Sequence, residues 1–133
     1  MGAWGHGPFE NDGALDFLYP IEERKSWQPA AEEITAAAQR VVEGGYIDAF
    51  DGDILIAAGA LVALQEGHDV ASWSGETPLV DIAPCPPDLR AMIVAALPRV
   101  IDGPESEPHD LWEETDDLQA WMDSGNRVRA ALA

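Results

Sequence analysis

The apolar residues of the chain recur at the spacing of an α-helix in about five segments. The first segment begins after Asn11 or Asp12, either of which is a good N-cap, and Pro20 ends it. The second segment runs from Pro29 to Gly45, with its apolar residues on one face and glycines at its end. This pattern predicts an all-α fold, a single-domain bundle of about five helices.

The third segment, DGDILIAAGALVALQEG, is apolar on almost all sides. We expect this helix to begin at Asp51 or Asp53 and to form the buried centre of the bundle. Its small residues allow neighbouring helices to approach closely. Residues 68–87 then break the helical period, which predicts a long loop with an extended piece at Leu79–Ile82.

Two further helices are predicted in the last third of the chain. One follows the paired prolines at 86 and 87, and Pro98 kinks it or brings it towards its end. The other begins with a capping box formed by Asp110 and Glu113. Gly125 weakens this last helix, so we expect a bend or break near Ser124–Asn126.

The opening stretch, MGAWGHGPFENDGALDFL, places aromatic residues among glycines and a proline. Glycine allows backbone angles that other residues avoid, and proline fixes one angle. We therefore expect a shaped loop that folds back on the bundle, with Trp4 and Phe9 packed into the core. His6 is the one polar residue of this loop whose presence no argument from folding requires.

The same opening resembles that of a family of small bacterial proteins that share a domain of unknown function, DUF4259. Members of that family typically begin M-G-x-W-G-x-G-x-F-x-N-D-x-A-x-D. The matching residues are Gly2, Trp4, Gly5, Gly7, Phe9, Asn11, Asp12, Ala14 and Asp16. The alanine-rich third helix is similar to a second feature of the family. The resemblance implies a small, mostly helical bacterial protein of the cytoplasm, and it brings no activity, cofactor or catalytic residue.

The charge of the chain limits its partners. Its 25 acidic residues outnumber 7 basic ones, for a net charge of −18. Nucleic acids and anionic membranes are bound through clustered Lys and Arg, so neither is an expected partner. No apolar run is long enough to span a bilayer, and no basic and apolar leader opens the chain. With Cys85 as its single cysteine, the protein is expected to be cytoplasmic and to form no intramolecular disulfide.

The stretch from Asp102 to Asp123 carries nine carboxylates and no Lys or Arg. One interpretation is a solvated helix face, since acidic residues are favoured near a helix N-terminus. The other is an acidic docking face for a basic protein partner, with Trp112 and Trp121 as aromatic anchors. The residues of that face would be Glu113, Glu114, Asp116 and Asp117.

Motifs for catalysis and for metal binding are absent from the sequence. His6, His68 and His109 lie far apart without the spacing of zinc motifs, so no metal and no cofactor are predicted. Asp51-Gly-Asp53 resembles the start of a calcium loop, but no glutamate closes it, and helix capping explains the pair better. No nucleophile elbow and no phosphate-binding loop occur either.

Two functional hypotheses remain from the sequence. The first is a non-enzymatic, acidic interaction or regulatory protein that binds a basic protein partner. The second is a small-ligand binder or hydrolase-like enzyme with a site between the N-terminal loop and the 68–87 loop. That site would use His6, Asn11, Asp12, Asp16 and His68. Homo-oligomerisation through the last helix is compatible with either hypothesis.

Overall fold

The computed structural model of the protein describes residue 3, residues 5–73 and residues 75–133. Six α-helices follow one another in these residues, together with a single turn of 3₁₀-helix at Leu79–Asp81. The helices are α1 (Asp12–Arg24), α2 (Gln28–Glu43), α3 (Ala49–Gln65), α4 (Pro87–Asp102), α5 (Glu107–Glu113) and α6 (Leu118–Leu132). The predicted all-α class is confirmed, with six helices in place of about five. The packing predicted for Trp4 lies outside the described residues.

Helix α1 begins where the sequence predicts and ends later. The Asn11 side-chain oxygen accepts a hydrogen bond of 2.7 Å from the N–H of Ala14, which is the predicted cap. Pro20 lies inside α1 and does not end it, so that prediction is wrong. Proline removes one helical hydrogen bond, but continuing the helix buries Ile21 completely in the core. The burial offsets the lost bond.

Helix α3 begins earlier than predicted, because its cap is Asp48. The Asp48 carboxylate accepts a hydrogen bond of 2.8 Å from the N–H of Asp51, so neither Asp51 nor Asp53 is the cap. Asp51 instead accepts two hydrogen bonds from Arg40 of α2, at 2.6 and 2.7 Å. The sequence interpretation of the Asp51-Gly-Asp53 pair as capping residues is therefore wrong.

The centre of the fold is α3, as the sequence predicts. Every residue from Ile54 to Ala63 is buried, and α3 packs against each of the other five α-helices in the described part of the chain. A Cβ atom at Gly59 would lie 3.0 Å from a methyl carbon of Val128 and 3.1 Å from one of Leu97. The glycine thus allows α4 and α6 to approach α3 closely. Among the described residues, no helix is long and apolar enough to cross a membrane.

The predicted last helix is two helices, α5 and α6. The prediction of a capping box at Asp110 and Glu113 is wrong, because both residues lie within α5, which begins at Glu107. The chain breaks after α5, where the Thr115 hydroxyl bonds to backbone groups and competes with helix formation. No break occurs at Gly125. That residue is buried inside α6, where a Cβ atom would lie 3.0 Å from Ile101.

The long connection from α3 to α4 is fixed to the bundle at both ends. The Gln65 amide donates to the carbonyls of Ile82 and Ala83, at 3.3 and 3.1 Å, and its oxygen accepts from the Trp27 indole N–H. The extended piece predicted at Leu79–Ile82 is mainly a 3₁₀ turn, since the Ile82 N–H donates to the Leu79 carbonyl. The described residues of the connection near α4 are thus hydrogen-bonded to the end of α3.

Replacing Arg40 with Ala should lower the free energy of unfolding by about 2–3 kcal/mol. The substitution leaves the Asp51 side chain, which is only 5% exposed, without its cation. Arg90 bonds to Glu66 in the same two-bond geometry, but these side chains are 34% and 37% exposed. Arg90→Ala should therefore cost less than about 1 kcal/mol. Urea denaturation of the three proteins at neutral pH measures the difference, and equal losses would contradict the role of burial.

Candidate functional site

A pocket of about 230 Å³ opens where the N-terminal loop meets the first turns of α3 and α6 and one face of α5. Its wall is mostly apolar and aromatic, and we call it the Asp53 pocket. The lining residues are Ala3, Gly5, Gly7, Asn11, Ala49, Phe50, Asp53, Pro108, Leu111, Trp112 and Trp121. The polar side chains among them are those of Asn11 and Asp53.

Helix α5 is held against the start of α3, and this contact forms one wall of the Asp53 pocket. The N–H of Glu107 donates to the carbonyl of Ile47 at 2.8 Å, and the Glu107 carboxylate accepts from the N–H of Ala49 at 2.7 Å. A Cβ atom at Gly52 would lie 2.4 Å from the Pro108 ring. The absence of a side chain at Gly52 therefore allows α5 to lie directly on α3.

The N-terminal loop forms the opposite wall with its backbone. An isolated bridge pairs Ala3 with Asn11, which closes the loop on itself. The Glu10 N–H donates to the Gly7 carbonyl, and the Glu10 carboxylate accepts from the Gly7 N–H, each at 3.1 Å. Phe9 beyond the wall is buried, as the sequence predicts.

Asp53 is the chemically unusual residue of the pocket. Its carboxyl group receives no hydrogen bond and no ion pair from any residue that the structure describes. Partial burial, together with the smaller effect of the nearby carboxylates of Asp48 and Glu107, raises the pKa of Asp53 to about 7. Clefts that contain a strongly perturbed titratable group are frequent binding and catalytic sites.

The residues proposed from the sequence for a loop site are dispersed. Asn11 lines the pocket, but its side-chain oxygen caps α1. His6 is exposed in the N-terminal loop, and Asp12 and Asp16 are exposed on α1. The exposed His68 follows α3, whereas Asp53 lies near the start of α3, about 18 Å along the helix from its end.

The two loops of that proposed site do meet, through aromatic rings. Phe9 and Trp73 are 5.7 Å apart between ring centroids, with their planes at 82°. This edge-to-face contact is apolar and buries Phe9. The contact fixes the N-terminal loop, which also forms a wall of the Asp53 pocket, to the α3–α4 connection.

The proposed acidic docking face is exposed at the end of α5 and in the link to α6. Its residues are Glu113, Glu114, Asp116 and Asp117. The two tryptophans proposed as its anchors face the Asp53 pocket. Trp112 is half-buried, Trp121 is buried, and both line the Asp53 pocket.

The thiol of Cys85 has a raised pKa, which disfavours a role as a nucleophile. Burial of the half-buried thiol outweighs the opposing effect of Arg90 and, with a smaller contribution from Glu66, raises the pKa of Cys85 to about 11. The thiolate is the reactive form of cysteine. The pKa of Cys85 thus leaves very little thiolate at neutral pH.

A second cluster of polar side chains, which the sequence interpretation missed, lies on α5. His109, Asp110 and Glu113 bring a ring nitrogen and two carboxylates within 4.8 Å of one another. The Tyr46 hydroxyl donates a hydrogen bond of 2.7 Å to Asp110, and this bond raises the pKa of Tyr46 to about 12. The signal in the sequence is a His-Asp-x-x-Glu spacing on one helix, which differs from the zinc-motif spacings on which the prediction of no metal depends.

Replacing Asp53 with Asn should raise the free energy of unfolding by about 1–3 kcal/mol at about pH 8. The pKa of Asp53 is about 7 in the folded protein and 3.8 as a reference value. The folded state therefore binds the proton more tightly, and the ionised carboxyl opposes folding increasingly as pH rises from about 4 to about 7.

The stabilisation by Asp53→Asn should accordingly disappear near pH 4, at about the reference pKa. Urea denaturation at both pH values measures it. Asp16→Asn, on the exposed surface of α1, is the matched control and should change stability little at either pH. A pH-independent effect of Asp53→Asn would contradict the assigned pKa.

The comparison with protein families gives a match. The model of the family described as "Domain of unknown function (DUF4259)" matches residues 2–124. Comparisons with curated proteins and with solved structures give no match. The matched range includes α1 to α5, the Asp53 pocket and the first turns of α6. The chain therefore belongs to the DUF4259 family.

Proposed function

We propose that the protein is a non-enzymatic interaction protein that binds a basic protein partner, one of whose lysine or arginine side chains enters the Asp53 pocket. The observation that carries this proposal is the Asp53 carboxyl group, which opens into an aromatic pocket with no donor or cation from the described residues. We propose a bacterial and cytoplasmic setting, because the family resemblance implies it.

The charge of the molecule supports a basic partner. A net charge of −18 on 133 residues gives a negative potential around most of the surface. Such a potential accelerates encounter with a positively charged protein and disfavours acidic ones. Glu113 of the acidic docking face lies at the end of α5, which forms one wall of the pocket, and the other exposed carboxylates of the face follow in the link to α6.

The size of the pocket supports a single side chain as its occupant. Pockets for drug-sized ligands have volumes of about 300–1,000 Å³. The Asp53 pocket, at about 230 Å³, is smaller than that range. A lysine or arginine side chain is long and thin, and it carries its charge at the tip.

The chemistry of the pocket supports a cation. Trp112, Trp121 and Phe50 provide aromatic surface, which attracts an ammonium or guanidinium group through the ring faces. A cation beside Asp53 would also favour the ionised carboxyl group and lower its pKa. Binding and ionisation would therefore reinforce each other.

A free organic amine is the second candidate ligand, since the same aromatic and acidic surfaces would bind it. This corresponds to the small-ligand hypothesis from the sequence, moved from the junction of the two loops to the Asp53 pocket. A carboxyl group with a pKa near 7 also suits a general acid. Among the described lining residues, however, no His, Ser or Cys accompanies it. This composition favours binding over hydrolysis.

A lysine-rich peptide should bind the protein with an affinity that falls as salt concentration rises. NMR titration, following the indole N–H signals of Trp112 and Trp121, measures the dissociation constant and identifies the surface. Asp53→Asn should weaken binding at least about tenfold, because the carboxylate that meets the cation is lost.

The matched control is Asp16→Asn, which changes the net charge equally on the exposed face of α1. This variant should keep the dissociation constant within about twofold. Equal weakening by both variants would show that net charge alone attracts the peptide, and absence of binding at low salt would overturn the whole proposal. Saturation of the pocket by n-butylammonium, without peptide binding, would identify a free amine as the ligand.

A further inference from the structure

The cluster on α5 combines three side chains that bind divalent metal ions in proteins. The Nδ1 atom of His109 lies 4.0 Å from a carboxylate oxygen of Asp110 and 3.9 Å from one of Glu113. The same ring nitrogen is thus approached by two carboxylates. A neutral imidazole with two carboxylates carries a charge of about −2, which matches a divalent cation.

The imidazole ring of His109 is held in place by packing on both sides. Its side chain is only 17% exposed. On one side it meets Trp121 edge to face, with ring centroids 6.2 Å apart. On another side it lies against the backbone of Gly103, where a Cβ atom would come within 3.3 Å of the ring. These contacts restrict the position of the imidazole ring, whose Nδ1 atom lies towards the two carboxylates.

One of the two carboxylates is also oriented by a neighbour outside the cluster. Tyr46 donates its hydrogen bond to Oδ2 of Asp110, and the other oxygen, Oδ1, is the one nearest His109. In metal sites, such outer hydrogen bonds fix the ligand oxygen that coordinates the ion. Tyr46 comes from the segment between α2 and α3, so this contact requires the folded chain.

From this arrangement we propose that His109, Asp110 and Glu113 bind a divalent transition-metal ion of the Zn²⁺ type. A tetrahedral ion with bonds of about 2.0–2.2 Å holds its ligand atoms about 3.4 Å apart. The three ligand atoms now lie within 4.8 Å of one another, with Nδ1 of His109 at 3.9 and 4.0 Å from the two carboxylates, and rotation of these exposed carboxylates would shorten the separations. The nitrogen ligand favours Zn²⁺ over Mg²⁺ and Ca²⁺, which prefer sites built wholly from oxygen.

Three protein ligands leave at least one coordination position of the ion open. Structural zinc sites are usually closed by four protein ligands, whereas sites with three keep a position for water or another molecule. The carboxylates of Asp110 and Glu113 are 49% and 63% exposed, so this position faces solvent. The proposal does not depend on the function proposed for the Asp53 pocket.

Calorimetric titration with ZnCl₂ in a large excess of Mg²⁺ should detect one ion per chain. The excess Mg²⁺ suppresses binding by the many isolated surface carboxylates, which lack a nitrogen ligand. In parallel, ¹⁵N NMR of the three imidazole rings should show a change at His109 alone. This second readout identifies the nitrogen that coordinates the ion.

The variants separate a metal site from a chance surface cluster. Glu113→Gln removes a ligand at an exposed position without altering the packing of His109, so it tests the site in a folded protein. Tyr46→Phe should weaken Zn²⁺ binding by about tenfold, since it removes only the hydrogen bond that orients Asp110. His109→Asn should weaken binding by more than that, and His68→Asn, at an exposed position, is its matched control and should have no effect.

The proposal is overturned by either of two results. One is the absence of Zn²⁺ binding by the wild-type chain in the presence of Mg²⁺. The other is binding that is unchanged by Glu113→Gln and His109→Asn, or that is lost in His68→Asn, which would locate the ion elsewhere. Loss in the first two variants, with retention in the control, supports the site.

Discussion

The close approach of helices to α3 is the constraint on which the rest of the structure depends. This helix is buried over most of its length, and its neighbours approach its backbone most closely where its residues are small. At Gly59 the space for a side chain is taken by residues of α4 and α6, and at Gly52 by Pro108 of α5. The second contact places α5 beside the start of α3. The Asp53 pocket is the space left between them and the N-terminal loop.

Two carboxylates in the first turns of α3 differ in whether a partner within the fold balances their negative charge. Asp51 is almost completely buried and accepts two hydrogen bonds from Arg40, so its charge is neutralised within the fold. Asp53, two residues later, receives no such partner from the described chain, and its burial disfavours the ionised form. Such a group lowers stability at neutral pH. Binding sites often retain unfavourable groups of this kind because a ligand compensates them.

The parts of the fold that the sequence predicts are those with long local periodicity. Helix α2 follows from the repeat of its apolar residues, and the buried centre of α3 follows from a long run of apolar residues. The separation of α5 from α6 does not follow from the sequence. A glycine such as Gly125 looks the same in a sequence whether it breaks a helix or, as here, packs against Ile101. The role of Asp53 depends on a residue distant in the chain, Glu107, and no spacing within one helix contains that information. The cluster of His109, Asp110 and Glu113 is different, because its spacing within α5 is visible in the sequence.

The position of Trp121 has a consequence for how the molecule responds to its ligands. One part of its ring lines the Asp53 pocket, and another meets the His109 ring edge to face. A ligand that displaced this indole in the pocket would also move the imidazole and change the affinity of the α5 cluster. By thermodynamic reciprocity, occupation of the cluster would change the affinity of the pocket by the same factor. A single buried tryptophan thus lies between two surfaces of the molecule.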